Sequence, residues 1–458
     1  MSPRGNFALV FTLLGAVLLW SFQSTERYDL TSEGKIIINH DLVAKRVAAA
    51  PFIGTVELLL GLLPEADLTY DRLQQHALYR CGTPGADSFS AYSQSGLRAL
   101  TNAIAIDKPV LTNIGKWIAH ESYVRALCTQ LALSRLEIDQ PEIFAAPVKA
   151  VIIAGPPRTG STHLMSMLCV HPNATCLTLA ETLDPIAPSW MLPSQLLSGF
   201  DYRLWKNLAV AWFISQLCPL FKSMQKFQAT APMEEIVLGA TFFGSMVHFS
   251  AFPLPSYEEW FRETDHLEME LGIKKILQVI QHQRGGESKM WILKSPQNAN
   301  QLGAKALAYP NSQFIFTHRK SFPVIQSWVG MLSYILGVHC DSAQVDYKKY
   351  VLDLVNHQQW SQERILPEEV SKHINATTQL LNVYYDDFMK SPVDVGVLAA
   401  KHAGLLGGAD IREIFQHFQE NSPKGGSSVL KYDLESFGVT KELVDEKFAK
   451  YETAYNLR

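Results

Sequence analysis

The sequence predicts an α/β fold in which a parallel sheet is flanked by helices, with a helical region before the sheet and a helical insertion within it. Three observations support this. Val151-Ile-Ile-Ala154 is a short, continuous apolar run rich in β-branched residues that stops at a Gly/Pro loop, as a strand buried on both faces does. Met290-Trp-Ile-Leu293, Gln313-Phe-Ile-Phe-Thr317 and Leu380-Leu-Asn-Val-Tyr384 share that texture. The first three of these runs are each followed by a polar or proline-rich turn and a helix-like segment, the alternation from which α/β units are built. Ligands of such sheets bind beyond the carboxyl ends of the strands, so the residues that follow each run carry the functional interest.

The chain of 458 residues, 47% hydrophobic and 18% charged, has an ordinary globular composition without repeats or low-complexity tracts. It divides into an apolar N-terminal segment (1–29), a helical lead-in (30–145) and the α/β domain (146–458), with the insertion at about 186–232. Within the lead-in, Pro51 and Pro64 bracket one candidate helix. A net charge of -4, without a basic block, argues against a surface that tracks nucleic-acid phosphates. Any anionic ligand must be held locally. The insertion contains Trp190, Trp205, Trp212, Phe213 and Phe221, compatible with a lid or an acceptor wall and equally with packed helices.

Residues 7–22 carry no charge, with Arg4 before them and Glu26 and Arg27 after. The stretch is long for the apolar region of a cleaved signal and near the lower limit of a spanning helix, about 17 residues. It predicts a single-pass membrane anchor that leaves the chain on the luminal side, in the Golgi or secretory pathway. A cleaved signal, a buried terminal helix and a soluble cytoplasmic chain are the alternatives. Six scattered cysteines show no metal-ligand spacing and do not decide the redox compartment, and no metal is expected. Two glycosylation sequons, Asn173-Ala-Thr175 and Asn375-Ala-Thr377, fit a luminal chain, although the first lies close to the loop described next.

After the first strand comes Gly155-Pro-Pro-Arg-Thr-Gly160 and then the helix-like Ser161-Thr-His-Leu-Met-Ser-Met-Leu168. This order places main-chain N–H groups at a helix amino terminus, around an anion, and makes the sheet P-loop-like. A nucleotide triphosphatase loop reads G-x-x-x-x-G-K-S/T, but the lysine position is Ser161 here and the cation is Arg158, inside the loop. The guanidinium fork suits two oxygens of a phosphate or sulfate. After the third strand, His318-Arg319-Lys320-Ser-Phe-Pro323 leads into a helix that carries Ser327, and Arg319 and Ser327 can converge on a second anion. Taken alone, Arg319 also fits a surface ion pair.

These two motifs resemble the paired 5'- and 3'-phosphate sites of the sulfotransferases that use 3'-phosphoadenosine 5'-phosphosulfate (PAPS). The resemblance extends to Pro232-Met-Glu-Glu235, Tyr257-x-x-Trp260, Trp291-Ile-Leu-Lys-Ser-Pro296, Tyr384-Tyr-Asp-Asp387 and Lys431-Tyr-Asp-Leu-Glu-Ser-Phe-Gly438, covering roughly residues 115–455. It is similar to the divergent branch common in bacteria and algae, whose loop reads Pro-Arg-Ser/Thr-Gly-Ser/Thr. The resemblance implies that Arg158, Thr159, Gly160, Ser161 and Thr162 bind the 5'-phosphosulfate and that Arg319 and Ser327 bind the 3'-phosphate. PAPS is then the co-substrate, and a small-molecule, lipid or glycan acceptor takes the sulfuryl group.

In-line sulfuryl transfer, by analogy with phosphoryl transfer, asks for positioning and for cations, expected at Arg158 and Lys294. Lys294 also fits a solvated strand end. A general base is expected at Glu181, because a helix from Gly160, a turn at His171-Pro-Asn173 and a few extended residues bring the chain back to the donor. A helix-start or ion-pairing role is the alternative for Glu181, and His163 and His171 are further candidates. The related branch often has a histidine two residues after Pro296, where this chain has Asn298. Two other functions stay open: a P-loop kinase or NTPase, disfavoured by Ser161, and a non-catalytic PAPS-binding or nucleotide-binding membrane protein, kept open by Asn298.

Overall fold

A computed structural model describes residues 30–45, 51–82, 89–188, 191, 199–224, 228–405, 410–421 and 430–457. The apolar stretch 7–22 and Trp190 lie outside the described residues. Seven strands occur among them: β1 (Ile36–Ile38), β2 (Lys149–Ala154), β3 (Ala174–Thr175), β4 (Met290–Lys294), β5 (Gln313–His318), β6 (Leu380–Tyr384) and β7 (Leu430–Tyr432). Five form a parallel sheet in the order β3-β4-β2-β5-β6. The four runs read from the sequence are β2, β4, β5 and β6. The two-residue β3 is too short to carry a pattern.

Alternate residues of the central strands enter two separate cores. Ala150, Ile152 and Ala154 of β2 join Trp291, Leu293, Phe314 and Phe316 on one face. On the other face, Val151, Ile153, Ile292 and Ile315 pack against Leu164, Met165 and Leu168. Both faces are therefore dry, which is why these strands read as unbroken apolar runs rather than as alternating ones. The pairings Ile153 with Lys294 and Ala154 with Phe316 end β4 and β2 within a residue of each other, and β5 runs two residues further to His318. Whatever follows these strands is brought together.

The described part of the lead-in contains the helices Pro51–Gly61, Tyr70–Cys81, Ala91–Asp107 and Asn113–Asp139. The last begins with two satisfied devices: Thr112 Oγ1 accepts from Gly115 N at 2.9 Å, and the Glu57 carboxylate accepts from Asn113 N (2.6 Å) and Ile114 N (2.9 Å). A disulfide between Cys81 and Cys128 ties this helix to Tyr70–Cys81, and a second between Cys169 and Cys176 closes the turn before β3. A separate parallel pair joins β1 to β7, linking the lead-in to the carboxyl-terminal part of the chain. The helix Ser321–His339 has the length and apolarity of a membrane span, but 67% of that stretch is buried inside the protein, and it serves as a core helix.

The insertion contains the helices Tyr202–Leu217 and Phe221–Met224. Trp212, Phe213 and Phe221 pack against the core, whereas Trp205 is 62% exposed.

Three histidines are held neutral by burial, which pushes each down to about 4: His248, His266 and His318. The unfolded chain takes up these protons below about 6.5 and the folded chain only near about 4, so the unfolded state binds more protons in that window. Stability is therefore lost as pH falls from 6.5 towards 4. Calorimetry across this range is expected to show a falling Tm; a flat Tm contradicts neutral burial of the three rings.

Candidate active site

The loop after β2 is built on one close backbone approach and one buried threonine hydroxyl. Gly155 has φ +127°, and a Cβ there would lie 2.4 Å from the Thr317 carbonyl oxygen, so only glycine lets the loop leave beside β5. Thr159, 1% exposed, donates to or accepts from Thr317 Oγ1 at 2.6 Å and hydrogen-bonds the Pro156 carbonyl at 2.8 Å, fixing the loop's return. Gly160 (φ +82°) then starts the helix Ser161–Cys169, whose first N–H groups face the loop. Between them Arg158 adopts φ +62°, a left-handed conformation costly for a side chain with a Cβ. Its guanidinium is held by what it reaches: Ser327 Oγ at 3.0 Å and the Met224 carbonyl at 2.9 Å.

The second group assembles around the same arginine. Arg319 Nη1 donates to the Arg158 carbonyl at 2.8 Å, and its guanidinium lies over the Tyr385 ring, 3.9 Å from the centroid. Burial, and to a lesser degree the nearby Arg158 charge, pulls Arg319 below the usual guanidinium value. Among the described residues neither arginine has a carboxylate at ion-pair distance. Two neighbouring guanidinium groups left without such a partner concentrate positive charge at this point. Tyr432 of β7 hydrogen-bonds Ser327 and stands beside Arg158, so the small sheet contributes a phenol to this end. The sequence motif pointed to Arg319 and Ser327; the structure adds Tyr385 and Tyr432.

At the other side of the loop, the end of β4 supplies Lys294. Its ammonium is 3.2 Å from Thr162 Oγ1 and is ion-paired to Glu234. Glu235, 2% exposed, accepts from the main-chain N–H of the same lysine at 2.5 Å. Ser295 accepts from Gln297 N at 3.1 Å and caps the short helix Pro296–Ala299. Asn298 is buried and donates to Ile153 O (3.0 Å) and Glu235 Oε1 (2.7 Å).

Glu181 has a different set of partners. It is the third residue of the helix Leu179–Leu183 and forms a capping box with Thr178, whose N–H and Oγ1 donate to its Oε2 at 2.9 and 2.8 Å. Arg284 donates to both oxygens, at 2.9 Å from Nε and 2.6 Å from Nη2. Its side chain is 2% exposed and carries four donors. Residues 177–180 in turn pair with residues 229–233: Leu179 N donates to Ala231 O, Ala180 N to Ala229 O and Met233 N to Leu177 O. The segment containing Glu181 thus braces the segment that presents Glu234. His163 bonds Gln419 (2.8 Å), and His171 Nδ1 accepts from Asn173 N (3.1 Å). Glu234 was missed because its motif, Pro232-Met-Glu-Glu235, contains two carboxylates and no spacing rule separates them. Among the described residues no group of three His, Cys, Asp or Glu side chains is arranged to hold a metal ion.

Residues 150–399 match the model of the Sulfotransferase family. The fold is similar to that of sulfotransferase STF9 from Mycobacterium avium, with a TM-score of 0.75 at 22% identity over 86% of this chain and 99% of that one. It is also similar to sulfotransferase STF1 from Mycobacterium tuberculosis H37Rv, with a TM-score of 0.70 at 21% identity over 84% and 100%. No curated protein matches the chain significantly by sequence.

The left-handed backbone at Arg158 makes a stability prediction. Arg158→Gly and Arg158→Ala lose the same side-chain bonds, but only alanine keeps the strain, so the glycine variant is expected to be the more stable by about 1 kcal/mol. Equal denaturation midpoints would contradict the conformation described.

Proposed function

The chain belongs to the sulfotransferase family, and on that premise we propose that it transfers a sulfuryl group from PAPS to a hydroxyl or amine acceptor by in-line displacement. The observation that carries this reading is the convergence of Arg158, Arg319 and Lys294 on the ends of three adjacent strands, around a loop that starts a helix. In this reading Arg158 and residues 159–162 hold the 5'-phosphosulfate, and Arg319 with Ser327 holds the 3'-phosphate. The acceptor oxygen attacks sulfur, the bond from sulfur to the bridging phosphate oxygen breaks, and adenosine 3',5'-bisphosphate leaves. Lys294 and Arg158 neutralise the charge that develops on the leaving phosphate.

The acceptor's proton must go to a base. Glu234 is the better candidate than Glu181: it is ion-paired to the lysine that touches Thr162, whereas both oxygens of Glu181 are occupied by Arg284 and Thr178. Glu234→Gln is expected to lower kcat by about 10²- to 10⁴-fold, with PAPS affinity retained. Glu181→Gln is expected to act on stability, costing about 3 kcal/mol by stranding Arg284, with a far smaller effect on kcat in the folded protein. The reverse pattern would return the base to Glu181. Lys294→Ala is expected to cut turnover far more than donor binding; equal losses of both would reduce Lys294 to a binding role.

We also propose that the chain is a membrane-anchored protein with a luminal catalytic domain, acting on a small-molecule, lipid or glycan acceptor. Support comes from the apolar stretch 7–22, from the two disulfides, which persist in oxidising compartments, and from Asn375, which is exposed at the start of a short helix. Treatment of the native protein with an N-glycosidase is expected to lower its mass at Asn375. An unmodified Asn375 together with free thiols at all six cysteines would contradict a luminal location.

A further inference from the structure

We propose that Glu235 is a positioning residue that, with Lys305 and Asn298, sets where the Lys294 ammonium and the Glu234 carboxylate stand. The inference rests on the roles given to those two groups above. Glu234 and Glu235 are adjacent in sequence but meet different ends of one residue. Glu234 pairs with the ammonium of Lys294, and Glu235 accepts its main-chain N–H. The second oxygen of Glu235 accepts from Asn298 Nδ2 at 2.7 Å and lies 3.3 Å from Lys305 Nζ. Asn298 also donates to the carbonyl of Ile153, two residues before Gly155. Glu235 therefore joins the end of β4, the end of β2 and the segment carrying Glu234.

Glu235 cannot itself receive the acceptor's proton, being 2% exposed with both oxygens engaged. Lys305 is wholly buried and lies 2.8 Å from Glu270 as well as near Glu235. Burial works against its ammonium, but the charges of Glu270 and Glu235 outweigh burial and raise its pKa, while burial raises Glu270. A buried ion triad is a poor source of stability compared with apolar packing of the same volume. What it supplies here is a fixed charge that holds Glu235 in one orientation, next to the pair on which the reaction depends.

The test compares the full chain with the variants Glu234→Gln, Glu235→Gln, Glu235→Asp, Glu270→Gln and the double variant Glu235→Gln/Lys305→Met. Tm, PAPS affinity and kcat are measured, with the alcohol or phenol that the wild type sulfates fastest as acceptor. Glu235→Gln is expected to lose both stability and turnover. The double variant removes the Lys305 ammonium and leaves buried Glu270 without its cation, so Tm is expected to stay low while kcat stays about 100-fold down, the scale of a misplacement near 1 Å. PAPS affinity should be retained in it, so that the loss falls on kcat rather than on donor binding. Glu235→Asp, which keeps the charge and withdraws the acceptor from Lys294 N, should show a smaller loss of kcat at nearly normal Tm, and so serves if the double variant does not fold. Glu270→Gln should keep kcat. Turnover that recovers in the double variant, or a loss in Glu270→Gln equal to that in Glu235→Gln, overturns the proposal. Full activity in Glu234→Gln with low activity in the double variant rejects the base assignment and upholds the positioning of Lys294; the opposite pair of results rejects the positioning and upholds the base.

Discussion

Three adjacent parallel strands must finish side by side, each within about two residues of its neighbour, for this site to exist. The pairing of Ile153 with Lys294 and of Ala154 with Phe316 sets the end of β2 between those of β4 and β5. A slip of one residue in either pairing would turn the strand residues to the opposite core and carry Lys294 or Arg319 away from the loop. The register is secured from both sides, because alternate residues of all three strands are buried in different cores. Packing thus decides where the cations stand. The glycine at position 155 then lets the loop pass close to Thr317, and the loop's own left-handed arginine turns back towards Ser327.

Around that frame the acidic residues divide the work of support and chemistry by exposure and partner. Glu181 is consumed by Arg284 and by its own helix start, and it braces residues 229–233 through the backbone pairing beside it. Glu235 is consumed by a main-chain N–H, an amide and a buried lysine. Glu234, whose side chain is 14% exposed, pairs with the Lys294 ammonium, which under the proposed function can turn from carboxylate to donor. A carboxylate suited to proton transfer needs a free oxygen as well as nearness.

Much of this was legible in the sequence where the signal was local. The four main strands were visible as unbroken apolar runs, and the two anion motifs were visible because each follows a strand and starts a helix. The contributions of Tyr385 and Tyr432 were not, since the first acts by lying over Arg319 and the second arrives on a strand paired with β1, far away in the chain. The base shows the limit most clearly. The turn at His171-Pro-Asn173 is visible in the sequence, but the antiparallel pairing of residues 177–180 with residues 229–233 and the reach of Arg284 are long-range facts. They favour Glu234 over Glu181 as the proposed base, a choice between two glutamates that composition and spacing do not make.

The family fold and the arrangement of cations converge on one reaction, and the donor is its most exposed claim. Purified protein incubated with PAPS labelled in the sulfuryl group and a fractionated extract tests it directly. Label is expected to move to an acceptor, with release of one adenosine 3',5'-bisphosphate for each group transferred. Binding of PAPS without transfer to any fraction, or consumption of ATP in its absence, would contradict it.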